Sequence, residues 1–348
     1  MRLHFAAIVS IVWEVLSNLT QKVRMGGDLT KEDIFAACEL LLDETAAVDA
    51  RADFLRALHR KGETAFEVAA FVDVLLTRSR RPELGEGLLD VCGTGGDRAG
   101  LFNVSTAVMF VVAACGARVV KHGNRGVTSK CGGADVLEAL GIRIDLPPEA
   151  ALDAAGCCFL FAPSYHPAFK AVAPVRKSLA DEGSASIFNL LGPLLNPARL
   201  DFQLAGVFNP KLLALYAETF RLLERKSGWA VHGYGRLDEV STLGSSEVHA
   251  MEDGVIRQFS IQPETLGFAP ARIDDLRGGD APRNAQLLEE ILRGQERGPK
   301  REIVVLNAAC ALVVAGISGD LSAGMRMAVS ALDEGSAYAV LLRLRELR

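Results

Sequence analysis

The sequence predicts an α/β protein: a small all-helical N-terminal domain plus a larger α/β domain with a mainly parallel central sheet flanked by helices. Residues 28–80 show helical periodicity and no strand-like run. From Gly87 onward, short apolar runs alternate with helix-like segments, as is typical of a parallel sheet covered by helices. A length of 348 residues with 49% hydrophobic content predicts a large core and about two domains.

The composition argues against several classes of protein. A net charge of −5 disfavours a nucleic-acid partner, because such proteins present a basic face. The apolar run Phe5–Leu16 is too short to span a bilayer and contains Glu14, so it predicts an amphipathic first helix continuing toward Val23 and no membrane anchor. Seven cysteines without a C-x-x-C pair or metal-site spacing indicate the reducing cytoplasm.

The helical region carries recognisable helix ends. Thr30 is the predicted N-cap of the segment LTKEDIFAACELLLDE, and the next helical segment ends at Gly62. Thr64 and Glu67 have capping-box spacing before VAAFVDVLLTRS. His59 is interpreted as a surface or packing residue, and RRPELGEG as the linker to the second domain.

The first strand–loop–helix unit of the α/β region joins LLDVC (88–92) to the glycine loop GTGGD. This loop matches neither the dinucleotide motif nor the phosphate-binding P-loop. Asn103, Ser105 and Thr106 follow at the start of an apolar helix. They either cap that helix or contact a phosphate, and the adjacent glycine loop favours phosphate contact.

The second unit places cations and hydroxyls beside a second glycine loop. The predicted strand ARVVK (117–121) delivers Lys121 and His122 at its carboxyl end, and GNRGVTSKCGG follows. Three cationic side chains and several hydroxyls within ten residues at this strand end predict a cradle for a polyanion. In open α/β sheets, ligands bind beyond the carboxyl ends of the strands, so the two units together predict a ligand with more than one phosphate.

A series of motifs then resembles the anthranilate phosphoribosyltransferase family of tryptophan biosynthesis, over nearly the whole chain from about Leu29. The motifs are GTGGD, FNVST, KHGNR, GADVLEALG, HPAFKAVAPVR (166–176), IFNLLGPLLNPA (187–198), DEVST (238–242), LRGGDAPRNA (276–285) and VVLNAACAL (304–312). The resemblance implies magnesium-dependent transfer of the 5-phosphoribosyl group from phosphoribosyl pyrophosphate to the amine of anthranilate, giving N-(5-phosphoribosyl)anthranilate and diphosphate. It also implies a homodimer formed through the helical domain.

The resemblance assigns three groups of site residues. The donor, phosphoribosyl pyrophosphate, is expected at Gly93, Thr94, Gly95, Gly96, Asp97, Asn103, Ser105, Thr106, Lys121, Gly123, Asn124, Arg125, Thr128 and Ser129. Anthranilate is expected at Gly93, His122, Asn124, His166 and Arg176, with the arginine as partner of its carboxylate. Mg²⁺, as two ions with the diphosphate, is expected at Ser105, Asp238 and Glu239. No covalent nucleophile and no general base is identified.

The architecture expected from both arguments has a helical domain over 1–84, completed by helices from about 163–197. The α/β domain runs over 85–348. LRGGDAPRNA and the final helices are interpreted as structural. The sequence departs from the family pattern at Gly133, where a serine is common, at 180–186, which is about three residues longer, and at LGSSEVHA (243–250). These departures bear on turnover and acceptor choice more than on the fold.

Two alternatives stay open at this stage. A nucleoside phosphorylase of the same architecture would use a phosphate loop unlike KHGNR. A non-catalytic paralogue acting as a binding module would be expected to lose GTGGD, KHGNR and the acidic pair, all of which are present.

Overall fold

The computed structural model describes residues 14–97, 99–126, 130–269 and 271–347. The chain separates into two compact units, one comprising Met1–Arg81 with Pro163–Leu195 and the other Pro82–Ala162 with Asn196–Arg348. The predicted first helix lies partly outside the described residues. Its described part, residues 14–24, is helical.

The bounds of the helices and strands are given next. In chain order they are α1 (14–24), α2 (Lys31–Leu42), α3 (Val48–Lys61), α4 (Ala65–Leu76), β1 (Leu88–Gly93), α5 (Val104–Ala114), β2 (Arg118–Gly123), α6 (Gly133–Ala139), α7 (Pro148–Ala155), β3 (Cys157–Phe161), α8 (Ala162–Tyr165), α9 (Ala173–Asp181), α10 (Phe188–Leu191), β4 (Phe202–Gly206), α11 (Leu212–Leu222), β5 (Ser227–His232), β6 (Ser246–Glu252), β7 (Val255–Ile261), α12 (Ala281–Leu292), α13 (Pro299–Val314), α14 (Leu321–Asp333) and α15 (Ser336–Glu346). Short 3-10 helices lie at Pro167–Val172, Gly192–Leu194, Pro263–Leu266 and Ile273–Leu276.

The helix ends predicted in the helical unit are confirmed. Thr30 and Thr64 each form a capping box, with Asp33 and Glu67 respectively. Gly62 ends α3 with φ +89°, a conformation that a residue with a Cβ rarely adopts. Local sequence therefore determines these boundaries.

A buried arginine ties α3 to the 3-10 helix Pro167–Val172 within the same unit. The Nη1 of Arg51 donates to the carbonyl of Leu41 at 3.1 Å and to that of Ala171 at 2.9 Å. Because Arg51 is 2% exposed, its guanidinium supplies these carbonyls with partners in a region that water does not reach. This contact holds the segment that carries His166 and Arg176.

The second unit is built on a seven-stranded sheet with the order β3-β2-β1-β4-β5-β6-β7 in the described residues. The five strands from β3 to β5 are parallel, whereas β6 and β7 add in antiparallel fashion. The predicted mainly parallel sheet is confirmed. Its antiparallel edge was not predicted, although Asp253-Gly254, with φ of 47° and 80°, is a strong two-residue hairpin signal.

Helices cover the sheet and position the strand ends. The helix α5 is almost wholly buried and packs against α13, and both contact the sheet. The strand β2 runs to Gly123, two residues beyond the prediction, because it keeps pairing with β3 as far as Phe161. Lys121 therefore lies within the strand. In the described residues, no helix has both the length and the apolar character needed to cross a membrane.

Candidate active site

The carboxyl ends of β1, β4 and β5 meet the loop that carries Asp238 and Glu239, and glycines make this approach possible. A Cβ built on Gly93 would lie 2.3 Å from Oδ2 of Asp238, and one on Gly206 would lie 1.7 Å from the Asp238 carbonyl oxygen. A Cβ on Gly233 would lie 2.2 Å from the carbonyl oxygen of Glu239. Any side chain at these three positions would displace the acidic pair.

Asp238 is joined to the first glycine loop and to a second carboxyl group. Its Oδ2 accepts a hydrogen bond of 2.7 Å from the backbone N–H of Gly95, and the carboxyl group of Asp97 lies nearby. Burial, followed by the negative charge of Asp97, raises the pKa of Asp238. A cation bound nearby would stabilise the charged form of this carboxyl group.

Glu239 faces the start of α5. Its carboxyl group lies near the backbone N–H of Ser105. Burial, together with the charge of Asp238, raises the pKa of Glu239 well above its usual range, and the nearby ammonium of Lys121 opposes this shift. The three predicted metal ligands, Ser105, Asp238 and Glu239, are thus brought together in one cluster with Asp97.

Lys121 supports this cluster from inside the domain. It is only 4% exposed, and its Nζ donates to the carbonyl of Val91 at 2.6 Å and to Oγ of Ser105 at 3.0 Å. Burial raises the pKa of Asp90, and the positive charge of Lys121 opposes this shift. The phosphate contact of Lys121 stays a prediction, and its ammonium is directed toward Ser105, another residue predicted at the donor site.

The loop Gly93–Asp97 is shaped by backbone contacts with β4 and the segment after it. The N–H of Thr94 donates to the carbonyl of Gly206 at 2.9 Å, and Oγ1 of Thr94 accepts from the N–H of Phe208 at 3.2 Å. Gly95 and Gly96 have φ of 68° and 85°, so both positions favour glycine. Their conformation leaves the loop as an open backbone turn beside the acidic pair.

Asn103 occupies the N-cap position of α5, but its side chain makes no capping hydrogen bond, although capping was one of its two predicted roles. Its Nδ2 donates to the carbonyl of Cys131 at 3.2 Å, and its Oδ1 accepts from Nδ2 of Asn284 at 2.9 Å. The amide therefore bridges the start of α5 to the second glycine loop. Thr106, also predicted at the donor site, is buried at the same helix start.

Asn284 belongs to LRGGDAPRNA, a segment for which the sequence indicated only a structural role. Its Oδ1 accepts from the N–H of Gly279 at 2.7 Å while its Nδ2 holds Asn103. An asparagine that is 2% exposed at the start of an apolar helical pattern requires such partners. This residue orients a predicted donor contact that sequence reasoning did not connect to it.

The second glycine loop is organised by α6. Oδ2 of Asp135 accepts from the N–H groups of Gly126 and Gly132, at 2.8 and 2.9 Å. Arg125, predicted to contact the donor, directs its guanidinium to Glu138, with Nη2–Oε1 at 2.9 Å, and to Asp135. A charged partner on the protein therefore already engages this cation. Thr128 and Ser129 lie outside the described residues.

Gly123 and Gly133 both lie near the ring of Phe159. A Cβ on Gly123 would approach Cε2 of that ring to 2.9 Å, which a side chain could not accept without movement. A Cβ on Gly133 would lie 3.4 Å from the same atom and 3.7 Å from Oγ1 of Thr106, which is ordinary contact. Gly133, unlike Gly123, has room for a small side chain.

The residues predicted to bind the acceptor divide between the two units. Gly93, His122 and Asn124 belong to the α/β unit; the Asn124 side chain is exposed, and its Oδ1 accepts from the N–H of Arg125. His166 and Arg176 belong to the helical unit.

His166 and Arg176 lie against aromatic rings. His166 is 4% exposed and stacks on Phe169 at 5.0 Å, and burial lowers its pKa, so the imidazole is neutral at pH 7. It makes no side-chain cap to the following 3-10 helix. The exposed Arg176 lies over the ring of Phe188 at 5.9 Å, a position that leaves its charge accessible.

A second buried asparagine holds the far side of the acidic pair. Asn307 of α13 accepts from the N–H of Val240 at 2.9 Å and donates to its carbonyl at 2.8 Å. Sequence reasoning assigned VVLNAACAL no chemistry. The sequence feature that points to Asn307 is a single asparagine within an apolar helical segment. A buried amide in such a segment needs hydrogen-bond partners.

The acidic cluster fits a hard cation such as Mg²⁺, which prefers oxygen ligands. Burial, together with the negative charges of neighbouring carboxylates, raises the pKa values of Asp238 and Glu239, which lie near the Ser105 hydroxyl. Within the described ranges, no set of three or more His, Cys, Asp or Glu side chains is arranged to hold a metal ion by itself. The protein thus offers a partial ligand set, and phosphate oxygens are the natural complement.

Comparison with known proteins places both units in one family of enzymes. Residues 85–338 match the glycosyl transferase family a/b domain, and residues 17–79 match the helical bundle domain of that family. Anthranilate phosphoribosyltransferase from Desulfatibacillum aliphaticivorans is 42% identical over 331 residues, covering 94% of this chain and 97% of the relative. The enzyme of that name from Methylobacterium nodulans is 44% identical over 326 residues, covering 93% and 96%.

Solved structures agree with these matches. The crystal structure of anthranilate phosphoribosyltransferase from Thermus thermophilus superposes with a TM-score of 0.87 at 38% identity, covering 94% of this chain and 98% of that one. The Saccharomyces cerevisiae enzyme in complex with PRPP and Mg gives a TM-score of 0.85 at 25% identity, covering 94% and 96%.

Proposed function

The chain belongs to the anthranilate phosphoribosyltransferase family, and on that premise we propose that it transfers the 5-phosphoribosyl group from phosphoribosyl pyrophosphate to the amine of anthranilate. The products are N-(5-phosphoribosyl)anthranilate and diphosphate, and the reaction requires Mg²⁺. The observation that carries this proposal is the cluster of Asp97, Asp238, Glu239 and Ser105 beside the loop Gly93–Asp97.

The chemistry needs charge stabilisation and alignment more than a nucleophile. Loss of diphosphate leaves positive charge on the anomeric carbon and adds negative charge to the leaving group, so preorganised donors and cations lower the barrier. The start of α5 offers backbone N–H groups and the Ser105 hydroxyl, which Lys121 holds. Mg²⁺ bound with the donor would neutralise charge on the diphosphate, and Asp238 and Glu239 would hold it.

The donor residues fall into two groups. Gly93 to Asp97 and Ser105 adjoin or belong to the acidic cluster, and Lys121 donates to Ser105. Asn103 and Thr106 lie at the same helix start as Ser105. Gly123, Asn124 and Arg125 belong to the second loop, where Arg125 also pairs with Glu138. Thr128 and Ser129 are proposed on the resemblance alone.

The acceptor is proposed to bind through Arg176 and His166. The accessible guanidinium of Arg176 suits the carboxylate of anthranilate, since charge-assisted hydrogen bonds to carboxylates are strong. The imidazole of His166, buried and stacked on Phe169, would bring no competing charge to the acceptor. Gly93, His122 and Asn124 complete the proposed acceptor set.

The proposed setting is a cytoplasmic homodimer. All seven cysteines, each of which lies in the described part of the chain, are free thiols, as a reducing compartment maintains. Met25, Phe35 and Phe66 of the helical unit are exposed apolar side chains, which suit a subunit interface.

The deciding experiment follows the loss of anthranilate fluorescence with phosphoribosyl pyrophosphate, in the presence of Mg²⁺ and in EDTA, with the product identified by mass spectrometry. We expect consumption of anthranilate only with the metal. The double variant Asp238→Asn with Glu239→Gln should lose this turnover while keeping its circular dichroism spectrum. No turnover with Mg²⁺ would refute the acceptor assignment, and full turnover in EDTA would refute the role of the metal.

A further inference from the structure

We infer that Asn307 is a positioning residue that sets the affinity of the acidic pair for its divalent cation. The inference rests on the proposed function, because it takes Asp238 and Glu239 as metal ligands. Asn307 is not itself a ligand of substrate or metal. It acts through Val240, the residue that follows the pair.

The side chain of Asn307 directs both its oxygen and its nitrogen to backbone groups. Its Oδ1 accepts from the N–H of Val240 at 2.9 Å, and its Nδ2 donates to the carbonyls of Val240 and Ile303, both at 2.8 Å. Asn307 is 0% exposed, so no water replaces any of these contacts. The amide therefore binds Val240 on both of its backbone groups, as a neighbouring strand would.

The acidic pair lies between two such anchors. On the near side, Gly233 and Leu237 exchange two backbone hydrogen bonds, of 2.9 and 3.2 Å. On the far side, Asn307 fixes Val240, and the N–H of Ser241 donates to Oγ of Ser246 at 2.8 Å. Only residues 238 and 239 lie between the anchors. Their carboxyl groups consequently have little freedom to shift.

The chemistry of the position requires an amide. An aspartate of the same size would keep the contact with the Val240 N–H but would turn a carboxylate oxygen toward its carbonyl. An alanine would leave both backbone groups of a buried residue unpaired, and the loop would move to satisfy them. Because Mg²⁺ demands near-ideal octahedral geometry, small movements of its carboxylate ligands weaken binding. Groups that orient metal ligands typically change affinity by about 10- to 100-fold.

The test measures metal binding without turnover. Mn²⁺ is titrated into the full-length protein saturated with phosphoribosyl pyrophosphate and lacking anthranilate, and free Mn²⁺ is read by electron paramagnetic resonance. We expect Asn307→Ala and Asn307→Asp to raise the Mn²⁺ dissociation constant by about 10- to 100-fold. Cys310→Ala is the matched control, since Cys310 is equally buried on α13 and its replacement leaves the Asn307–Val240 contacts in place. Urea unfolding in EDTA records the stability of each variant.

The outcomes separate the two claims. Should the Asp238→Asn, Glu239→Gln variant bind Mn²⁺ like the wild type, the metal assignment fails, and the inference fails with it. The other outcome is that the double variant no longer binds Mn²⁺, while the Mn²⁺ dissociation constant of Asn307→Ala stays within about twofold of that of Cys310→Ala. That difference is below the range typical of groups that orient metal ligands, so the proposed function would stand and the positioning role would be refuted. A variant of Asn307 that does not fold is replaced by Asn307→Ser, which leaves space for a water to reach Val240, and the same criterion applies.

Discussion

The backbone N–H of Gly95 donates a hydrogen bond of 2.7 Å to Oδ2 of Asp238, although 143 positions separate the two residues in the chain. The bond ties the first glycine loop to the acidic pair. Gly95 has φ +68°, so its N–H reaches Asp238 from a backbone conformation that few other residues adopt. The loop proposed to wrap the donor and the residues proposed to hold its metal are therefore already joined.

The first prediction concerns the stability of the metal-free protein. Burial, followed by the charge of Asp97, raises the pKa of Asp238 from its ordinary value of 3.8 to about 7. The folded state then holds this proton more tightly than the unfolded chain does, so stability falls as the pH rises from 3.8 to about 7. Urea unfolding in EDTA at pH 5 and pH 8 should show lower stability at pH 8.

Asp238→Asn is the matching variant for this pH effect. The amide oxygen can still accept a hydrogen bond from the N–H of Gly95. The negative charge that repels the Asp97 carboxylate is removed. We expect the variant to lose less stability than the wild type between pH 5 and pH 8. An equal loss in both proteins would show that the pH dependence arises elsewhere.

The second prediction separates acceptor from donor binding. Arg176→Ala should raise the KM for anthranilate by about 10- to 100-fold, because a hydrogen bond to a charged group contributes about 1.5–3 kcal/mol. The KM for phosphoribosyl pyrophosphate should change little. The neighbouring Lys177, whose ammonium pairs with Asp181, provides Lys177→Ala as the control. Equal increases in the two KM values would contradict the acceptor role.

The third prediction concerns Asn284, which orients Asn103. In Asn284→Ala, the Oδ1 of Asn103 loses its donor and the amide is free to rotate away from Cys131. We expect the KM for phosphoribosyl pyrophosphate to rise by about 10-fold, in line with a lost hydrogen bond of about 1–1.5 kcal/mol. Gln286→Ala removes an exposed amide from the same helix and should leave the KM unchanged. An unchanged KM in Asn284→Ala would limit this residue to a structural role.

Local patterns in the sequence were sufficient for much of the fold. Thr30 and Thr64 cap helices through residues three positions away, and apolar runs locate β1 and β2 within about two residues. The same runs place GTGGD and the second glycine loop after strand ends. These features depend on neighbours along the chain, which a single sequence contains.

The rest of the site depends on contacts between distant segments. Asn307 and Val240 are 67 positions apart, and no local pattern pairs them. The sequence predicted that Arg125 contacts the donor. In the structure its guanidinium also donates to Glu138 and Asp135 on the following helix. Lys121 is buried because it lies on β2, which pairs with β1 on one side and with β3 on the other. This position in the sheet cannot be read from the neighbouring residues in the sequence. Sequence therefore identified the residue types at the site better than it identified their partners.

The last prediction uses two adjacent glycines of the second loop, Gly132 and Gly133. A Cβ on Gly133 would lie 3.7 Å from Oγ1 of Thr106, so Gly133→Ser should change the free energy of unfolding by less than about 0.5 kcal/mol. Its hydroxyl would add a donor beside Thr106 and Lys121 and lower the KM for phosphoribosyl pyrophosphate by about 2- to 10-fold. A Cβ on Gly132 would lie 2.4 Å from the Gly126 backbone nitrogen, so Gly132→Ser should cost about 1–3 kcal/mol. Urea unfolding and donor kinetics check both, and Gly133→Ser with an unchanged KM would show that this glycine does not limit donor binding.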